Sequence, residues 1–154
     1  MLEKVTNPEH VRIVEGQIPV RHRYTPGIAG DRFFRALRDK GQILATPCAA
    51  CEVTYVPGRA FCERCFAALE EWVPVGPGGT LESFTAVHVD LHGERVRESQ
   101  PVGLVKLDGA TTVMVHRLSL GRGVPRIGAR VEAVLRPKKS RTGSINDIES
   151  FRLV

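Results

Sequence analysis

The chain has 154 residues, of which 42% are hydrophobic, and it carries a net charge of +5. This length suits one domain of ordinary size or two very small ones, and the apolar content supports a folded core, which excludes global disorder. No apolar run approaches the ~20 residues that span a bilayer, and the first ten residues are polar and charged, so we expect a cytoplasmic protein without a signal peptide.

Residues 1–30 are predicted to form an N-terminal arm. Three prolines and three glycines interrupt this segment, which shows no sustained periodicity. Asp31 to Lys40 is then predicted to be a short helix, with its aspartate as the N-cap and the following glycine as the stop. The apolar stripe of this helix contains Phe33, Phe34 and Leu37. The two phenylalanines point about 100° apart, so one can face the domain while the other contacts a partner or ligand.

The four cysteines carry the strongest chemical signal in the chain. They form two Cys-x2-Cys pairs separated by ten residues, namely Cys48, Cys51, Cys62 and Cys65. Two such knuckles, joined by a short hairpin, can close a tetrahedron of sulfurs about 2.3 Å from a zinc ion. A closed four-sulfur set leaves no position for water or substrate, so we expect a structural metal and must look for catalysis elsewhere.

Other interpretations of the cysteines stay open at this point. Disulfides need an oxidising compartment, which the polar start of the chain does not favour. A redox Cys-x-x-Cys normally occurs once and opens a helix beside a strand. Iron can be held by the same ligands as zinc in rubredoxin-like ribbons, and degenerate knuckles can hold nothing.

The pattern along the chain predicts a mainly β protein. A helix plus zinc ribbon is predicted for residues 31–73, and an OB-fold domain for residues 74–154, after a hinge rich in proline and glycine. Period-two alternation then predicts five short strands, which are typical of a small, partly open barrel of the OB type. They are Thr80–Asp90, Val102–Leu107, Thr111–Leu118, Arg130–Arg136 and Ile148–Leu153. The loops between them are 91–101, 119–129 and 137–147, and Asp108–Gly109 indicates a hairpin.

Most of the basic excess lies in one stretch near the C-terminal end of the sequence. Only Glu132 interrupts Arg117, Arg122, Arg126, Arg130, Arg136, Lys138, Lys139 and Arg141. Such a stretch attracts phosphate-bearing partners, although a solvated face of strands and loops explains it equally well.

No catalytic constellation emerges from the sequence. The five histidines belong to no recognisable metal pattern, and no nucleophile elbow or phosphate-cradling glycine loop is present. Because the ribbon uses every cysteine, no thiol nucleophile remains, and an autonomous enzyme is not expected.

A series of short motifs resembles one known family. In chain order they are Phe33-Phe34-x-x-Leu37, Gly41-x-Ile43, Cys48-x2-Cys51, Pro57-x-Arg59, Cys62-x2-Cys65, Trp72-Val73, Gly79-Thr80, Ser83-Phe84-Thr85 and Val87-His88. Their order is similar to that in the acyl-CoA-associated family in which a rubredoxin-like zinc ribbon precedes an OB-fold, once catalogued as a domain of unknown function. The similarity covers about residues 24–136. Glu52 stands where many members have glycine, and Gly58 and Glu63 replace common prolines, but no metal ligand is lost.

The resemblance implies a function that the residues alone do not show. Members of the family are small, non-catalytic subunits that dock on thiolase-fold enzymes and help to form the CoA or acyl-CoA channel. The complexes include acyltransferases and thiolase-like aldolases, and one specific candidate relative is the small subunit of benzoylsuccinyl-CoA thiolase. The implied partners are therefore a catalytic thiolase-fold chain, in a hetero-oligomer, and acyl-CoA.

Residues for CoA binding can be suggested on physical grounds. The phosphates of CoA favour a basic rim, and its pantetheine arm favours an apolar wall. By charge, the candidates for the rim are Arg122, Arg126, Lys138, Lys139 and Arg141. Phe34 and Leu37 are the candidates for the wall, or for the subunit interface.

The alternative function is a nucleic-acid-binding module. OB-folds and zinc ribbons both bind nucleic acids elsewhere, and the net charge is favourable. However, aromatics form only 6% of the chain, and the second and third predicted strands contain none. Single-strand binders normally present stacking rings there.

Overall fold

One α-helix and eight β-strands make up the fold of the described residues, which are 21–121 and 123–154 together with Thr6, Asn7, Glu9 and Gly16 in this computed structural model. The elements are α1 (Gly27–Lys40), β1 (Ile43–Cys48), β2 (Val53–Tyr55), β3 (Val73–Val75), β4 (Gly78–Val89), β5 (Arg95–Leu107), β6 (Val113–Ser119), β7 (Arg130–Leu135) and β8 (Ile148–Leu153). Short 3₁₀ turns, Lys138–Ser140 and Ile145–Asp147, precede β8. The mainly β fold predicted from the sequence is confirmed. Most of the predicted arm lies outside the described residues.

Helix α1 begins four residues earlier than predicted. The chain enters it at Pro26, and no side chain caps the first turn. The predicted N-cap at Asp31 is wrong, because this residue lies inside the helix and pairs with Arg35 at 2.7 Å. The predicted stop is confirmed: Gly41 adopts φ 67°, and its N–H donates to the Leu37 carbonyl at 3.0 Å. The described part of the chain contains no helix that is long and apolar enough to cross a membrane.

The ribbon is a small antiparallel sheet in the order β2-β1-β3. One face packs on α1, whose Phe33 and Leu37 are buried against Ile43 and Ala45 of β1. The far end of the ribbon has its own small core, which consists of Cys48, Val53, Tyr55, Cys62 and Leu69. This second core is too small to stabilise a module alone, as expected where a metal supplements the packing.

The last five strands form a closed barrel in the order β4-β5-β6-β8-β7. Closure comes from β4 and β7, which pair antiparallel from Gly78 to Thr80. Strands β6 and β8 pair in parallel at Leu118 and Ser119. Side chains of alternate residues fill the interior, as the predicted period of two requires; they include Leu81, Val105, Leu107, Met114, Val131 and Phe151. The five-stranded OB-type barrel predicted from the sequence is therefore confirmed, but the barrel is closed rather than partly open, because β4 pairs with β7.

The hairpin of β4 and β5 extends well beyond the barrel. Strand β5 begins at Arg95, so the prediction of a loop over residues 91–101 is wrong for most of its length. Before Val102, β5 pairs only with β4, and residues 95–100 are exposed. With both faces in solvent, this part of the strand has no alternation of apolar and polar residues, and the period-two signal is lost.

The ribbon and the barrel are joined by a short backbone pairing. Thr111 and Thr112, predicted to begin a barrel strand, bond to the ribbon instead: the N–H of Thr54 donates to Thr111 Oγ1 at 2.8 Å, and the N–H of Val56 donates to Thr112 Oγ1 at 2.9 Å. The N–H of Thr111 in turn donates to the Thr54 carbonyl at 3.1 Å. Two threonine hydroxyls thus satisfy ribbon donors that the edge strand β2 leaves free.

Replacing Thr112 with valine should destabilise this joint. Val56 is buried, so its N–H would be left without an acceptor, and we expect the free energy of unfolding to fall by about 1–3 kcal/mol. Urea denaturation followed by circular dichroism measures this change. Thr85→Val, an exposed substitution on the projecting hairpin, is the control and should change stability by less than about 0.5 kcal/mol. Equal effects of the two substitutions would contradict the role assigned to Thr112.

Candidate metal centre and ligand groove

The four cysteines meet at one end of the ribbon. Cys48 ends β1, and the second pair lies in the turn that follows Phe61. The four sulfurs all lie within 4.8 Å of one another, and Cys48 Sγ and Cys65 Sγ are 3.7 Å apart. Sulfurs bonded at about 2.3 Å to one tetrahedral ion would be separated by about 3.8 Å. The donor set therefore fits a four-coordinate metal ion.

Both knuckles use the same backbone device. The residue after the second cysteine of each pair has a positive φ, 53° at Glu52 and 61° at Phe66. This left-handed conformation turns the chain back after the second thiol, and glycine adopts it most easily. In the second knuckle the N–H of Phe66 donates to the Cys62 carbonyl at 3.0 Å. Glu52, which replaces the glycine common in the family, therefore adopts a left-handed conformation that glycine would adopt with less strain.

Hydrogen bonds surround the sulfur of Cys62. The hydroxyl of Tyr55 lies 3.3 Å from Cys62 Sγ, and the N–H of Arg64 donates to the same sulfur at 3.4 Å. The tyrosine contact lowers the pKa of Cys62 to about 6, with help from backbone N–H groups. By contrast, the neighbouring thiol of Cys65 raises the pKa of Cys51 to about 12. A cation among the four sulfurs would relieve this crowding of negative charge and hold all of them as thiolates.

Tyr55 is the last residue of strand β2. Its side chain is fully buried between the knuckles, where the hydroxyl reaches the metal-ligand sulfur and Arg59 lies over the ring at 4.9 Å. Spacing alone could not find this role, because the contact depends on how the hairpin folds back on itself. A tyrosine placed between two Cys-x2-Cys pairs could still have suggested it, because a buried tyrosine hydroxyl usually finds a hydrogen-bond partner.

Tyr55→Phe should weaken metal binding while keeping the fold. Partners that orient metal ligands typically contribute ten- to hundredfold in affinity, and we expect a loss of that order for Zn²⁺ or Co²⁺. Competition with a chromophoric chelator measures the affinity. Tyr24→Phe removes a hydroxyl from a residue that is 84% exposed and serves as the control. If both variants bound metal like the wild type, the contact with Cys62 would have no part in holding the ion.

Phe34, predicted to line an apolar wall, borders a groove between α1 and loop 137–147. Its ring is half-buried and packs edge-on against Phe33, with the ring centres 5.4 Å apart. The groove has a volume of about 230 Å³ and is also lined by Arg35, Arg38 and Gly143. Leu37, the other residue suggested for this wall, is completely buried in the core, so its side chain is not available to a surface ligand.

None of the residues predicted for the basic rim lines this groove, although three of them lie in loop 137–147, which contributes Thr142 and Gly143 to it. Lys138 and Lys139 are exposed in this loop. The hydrogen bond from Arg38 lowers the pKa of Asp39 in the last turn of α1, and the positive charge of Lys138 makes a smaller contribution in the same direction. Arg141 is more constrained: its Nε donates to the Arg136 carbonyl at 2.8 Å.

The guanidinium group of Arg141 also lies against the end of α1. A side chain at Gly41 would meet it at 2.7 Å, so this arginine covers the helix terminus and is partly occupied by that role. Arg126 is exposed in loop 119–129, a separate connection between β6 and β7. Arg122 lies outside the described residues.

Asp147 holds loop 137–147 in shape. This carboxylate is fully buried and accepts hydrogen bonds from the N–H groups of Thr142, Gly143 and Ser144 at 2.9, 2.7 and 3.3 Å. Burial on its own would raise the pKa of Asp147, but the three backbone donors outweigh it and hold the pKa below its ordinary value. The sequence suggested no such role, since an aspartate in a loop is usually solvated.

Asp147→Asn should destabilise the protein and alter its response to acid. The amide accepts through one oxygen only, so at least one buried donor loses its partner, and unfolding should become easier by about 1–3 kcal/mol at pH 7. Because the folded pKa is lowered, the stability due to Asp147 is complete above the unfolded pKa of about 4 and is lost as pH falls through the folded value.

Urea unfolding at pH 7 and in the pH 2–4 range tests both points. The stability of the wild type should decline with acid more steeply than that of the variant. Glu149→Gln, an exposed neighbour, should leave both measurements unchanged. A parallel decline of the wild type and Asp147→Asn would contradict the assignment.

A second, wider groove also runs along α1 and shares Asp31 and Arg35 with the first; the sequence did not indicate it. Its volume is about 530 Å³, and Arg32, Arg35, Lys40 and Trp72 are among the residues that line it. The guanidinium of Arg32 stands 4.9 Å from the centre of the Trp72 ring, within the range of a cation–π contact. The other edge of the indole packs so closely on Gly58 that a side chain there would lie 2.4 Å from it.

Comparison with known proteins agrees with this architecture. Residues 72–136 match the family model of the C-terminal OB-fold domain of ChsH2. A protein of unknown function of the DUF35 family from Sulfolobus solfataricus is 21% identical, with a TM-score of 0.60; the match covers 82% of this chain and 84% of that one. A chain in the structure of the Ltp2-ChsH2(DUF35) aldolase is 20% identical, also with a TM-score of 0.60, over 85% of this chain and 98% of that one.

No curated protein sequence matches the chain. The family resemblance predicted from the sequence motifs is nevertheless confirmed, since the family model and both solved structures point to the same group. Residues 72–136 thus match the family of ChsH2 C-terminal OB-fold domains, and the chain shares its fold with solved proteins of the DUF35 group.

Proposed function

We propose that this chain is a non-catalytic accessory subunit of a thiolase-fold acyl-CoA enzyme. One observation carries the proposal: the structural similarity extends over 98% of a chain of the Ltp2-ChsH2(DUF35) aldolase, so the shared architecture includes the helix and ribbon as well as the barrel. In this function the subunit docks on the catalytic chain, which supplies the reacting groups, and helps to form the CoA channel.

The side chains support a role without catalysis of its own. All four cysteines lie together in one cluster, and among the described residues no other group of metal-ligating side chains comes together. His88 and His92 are exposed on the projecting hairpin, whereas His116 is buried with its Nε2 3.3 Å from the Ile145 carbonyl. These histidines do not converge on a nucleophile, which an autonomous acyl-transfer site would require.

We propose that the metal is zinc and that its role is structural. Four thiolates in a tetrahedral arrangement are a ligand set that Zn²⁺ favours, and such a set leaves no open position for water or substrate. Cys48, Cys51, Cys62 and Cys65 would hold the ion, which neutralises the crowded sulfurs and closes the two knuckles. Iron in the same ligands is distinguished by its colour and by elemental analysis.

For CoA, the groove between α1 and loop 137–147 is the region favoured by the predicted residues. Phe34 offers an apolar wall, and Lys138 and Lys139 offer exposed positive charge in the same loop, outside the lining of the groove. These groups can attract the phosphates of CoA, while Arg141 contributes charge and keeps the loop against the helix. Arg126 and Arg122 remain candidates for the rim of a channel that the catalytic chain completes.

Co-purification is the direct test of the proposed function. A tagged chain should bring down a thiolase-fold protein, identified by mass spectrometry, and elemental analysis should find one zinc per small subunit. The rate of CoA-thioester turnover should require both chains. If the two chains elute separately and the large one is fully active alone, the proposed function is wrong. Tight, salt-dependent binding of single-stranded RNA or DNA instead would favour the nucleic-acid alternative.

Cys48→Ser should release the metal, disorder the ribbon and weaken assembly with the catalytic chain. The reason is that the second core around Tyr55 is too small to persist once the knuckles open. Elemental analysis and size-exclusion chromatography with the partner measure the two effects, and Ser140→Ala, in an exposed turn far along the sequence, is the control. A variant that lost zinc but kept full assembly and activity would show that the metal does not brace the interface.

A further inference from the structure

The second knuckle carries a bulky apolar side chain at an unfavourable position. Phe66 has φ 61°, a conformation that L-residues rarely adopt, and its side chain is 78% exposed. For a large residue this backbone conformation costs free energy, and exposed phenylalanine costs more. Glycine would remove both costs. Nothing that the described residues contribute to packing around Phe66 offsets them.

Two residues close by in the chain are also exposed, and we call the three residues Phe61, Arg64 and Phe66 together the second-knuckle patch. Phe61 is 62% exposed, and Arg64 is exposed without an acidic partner among the described residues. The adjacent Glu63 is already paired with Arg59. Cys65, between Arg64 and Phe66, is the exposed member of the sulfur cluster.

The first knuckle provides an internal comparison. Glu52 occupies the equivalent place after Cys51 and has nearly the same backbone conformation, with φ 53°. There, however, the side chain is charged and well suited to solvent. The positive φ is thus a requirement of the knuckle turn, whereas the apolar exposure is particular to the second knuckle. Exposed aromatic side chains in one short turn that also carries an unpaired arginine are typical of protein–protein contacts.

We propose that the second-knuckle patch is a docking surface for the catalytic partner chain, which would receive the Phe66 ring in an apolar pocket and place a carboxylate opposite Arg64. The occupant follows from three observations. A chain of this architecture occurs in a two-protein aldolase, the patch combines two aromatic rings with one unpaired cation, and covering it would also shield Cys65. The inference rests on the proposed function, since it needs the catalytic chain to exist.

Substitution by glycine tests the docking surface without endangering the fold. Phe66→Gly suits the left-handed backbone, so the variant should keep its metal and unfold at the same or a higher temperature. Association with the catalytic chain that co-purifies with the wild type should weaken on the order of 10- to 30-fold, as measured by biolayer interferometry. Arg64→Glu should slow association, with a salt dependence that differs from that of the wild type.

Glu52→Gly is the matched control, because it relaxes the same backbone conformation beside the same sulfur cluster but removes no apolar surface. It should associate like the wild type. If Phe66→Gly also bound normally, or if Glu52→Gly lost as much affinity, the docking surface would be elsewhere while the proposed function stood. Loss of self-association of the isolated chain in Phe66→Gly, without an effect on the catalytic chain, would assign the patch to a second copy and overturn the proposal. Failure of the wild type to bind any thiolase-fold chain would instead refute the proposed function.

Discussion

The convergence of four sulfurs at the end of a short hairpin is the constraint on which the rest of the ribbon depends. With only a few buried side chains around Tyr55, this end of the molecule cannot be stabilised by apolar burial alone. The cysteines bring two turns to within 4.8 Å between sulfurs, and the tyrosine hydroxyl anchors one of them. Each knuckle accepts a left-handed residue to achieve this. An ion held by the cluster would fix the position of both strands of the hairpin.

That position is transmitted to the barrel through β2. Residues at the end of this strand donate hydrogen bonds to Thr111 and Thr112. A change in the conformation of the knuckles would therefore alter the joint between ribbon and barrel. On the other side of the ribbon, α1 packs through Phe33 and Leu37 and is held at its end by Arg141. The groove at Phe34 lies between two elements that are both anchored. Such rigidity suits a subunit whose proposed contribution is to shape a channel for another chain.

Hydrogen bonding, more than charge, organises the basic loop. Asp147 collects three backbone donors, and Arg141 bonds to a carbonyl, which leaves Lys138 and Lys139 as the free charges of the loop. In the sequence these lysines and arginines look equivalent. In the structure Arg141 is bonded within the loop, whereas Lys138 and Lys139 are exposed and available to a phosphate.

The sequence by itself determined the cysteine cluster, the order of helix, ribbon and barrel, and the family resemblance. These features depend on local spacing and on the period of side-chain burial, which a single chain displays directly. Tertiary structure alone decided that Leu37 is buried while Phe34 borders a groove, that Tyr55 bonds to Cys62, and that Thr111 and Thr112 leave the barrel strand to bond to the ribbon. It also decided the projecting part of β5, where solvent on both faces removes the alternation by which strands are found. Each of these outcomes depends on contacts between residues far apart in the chain, and local pattern does not specify which distant groups will meet.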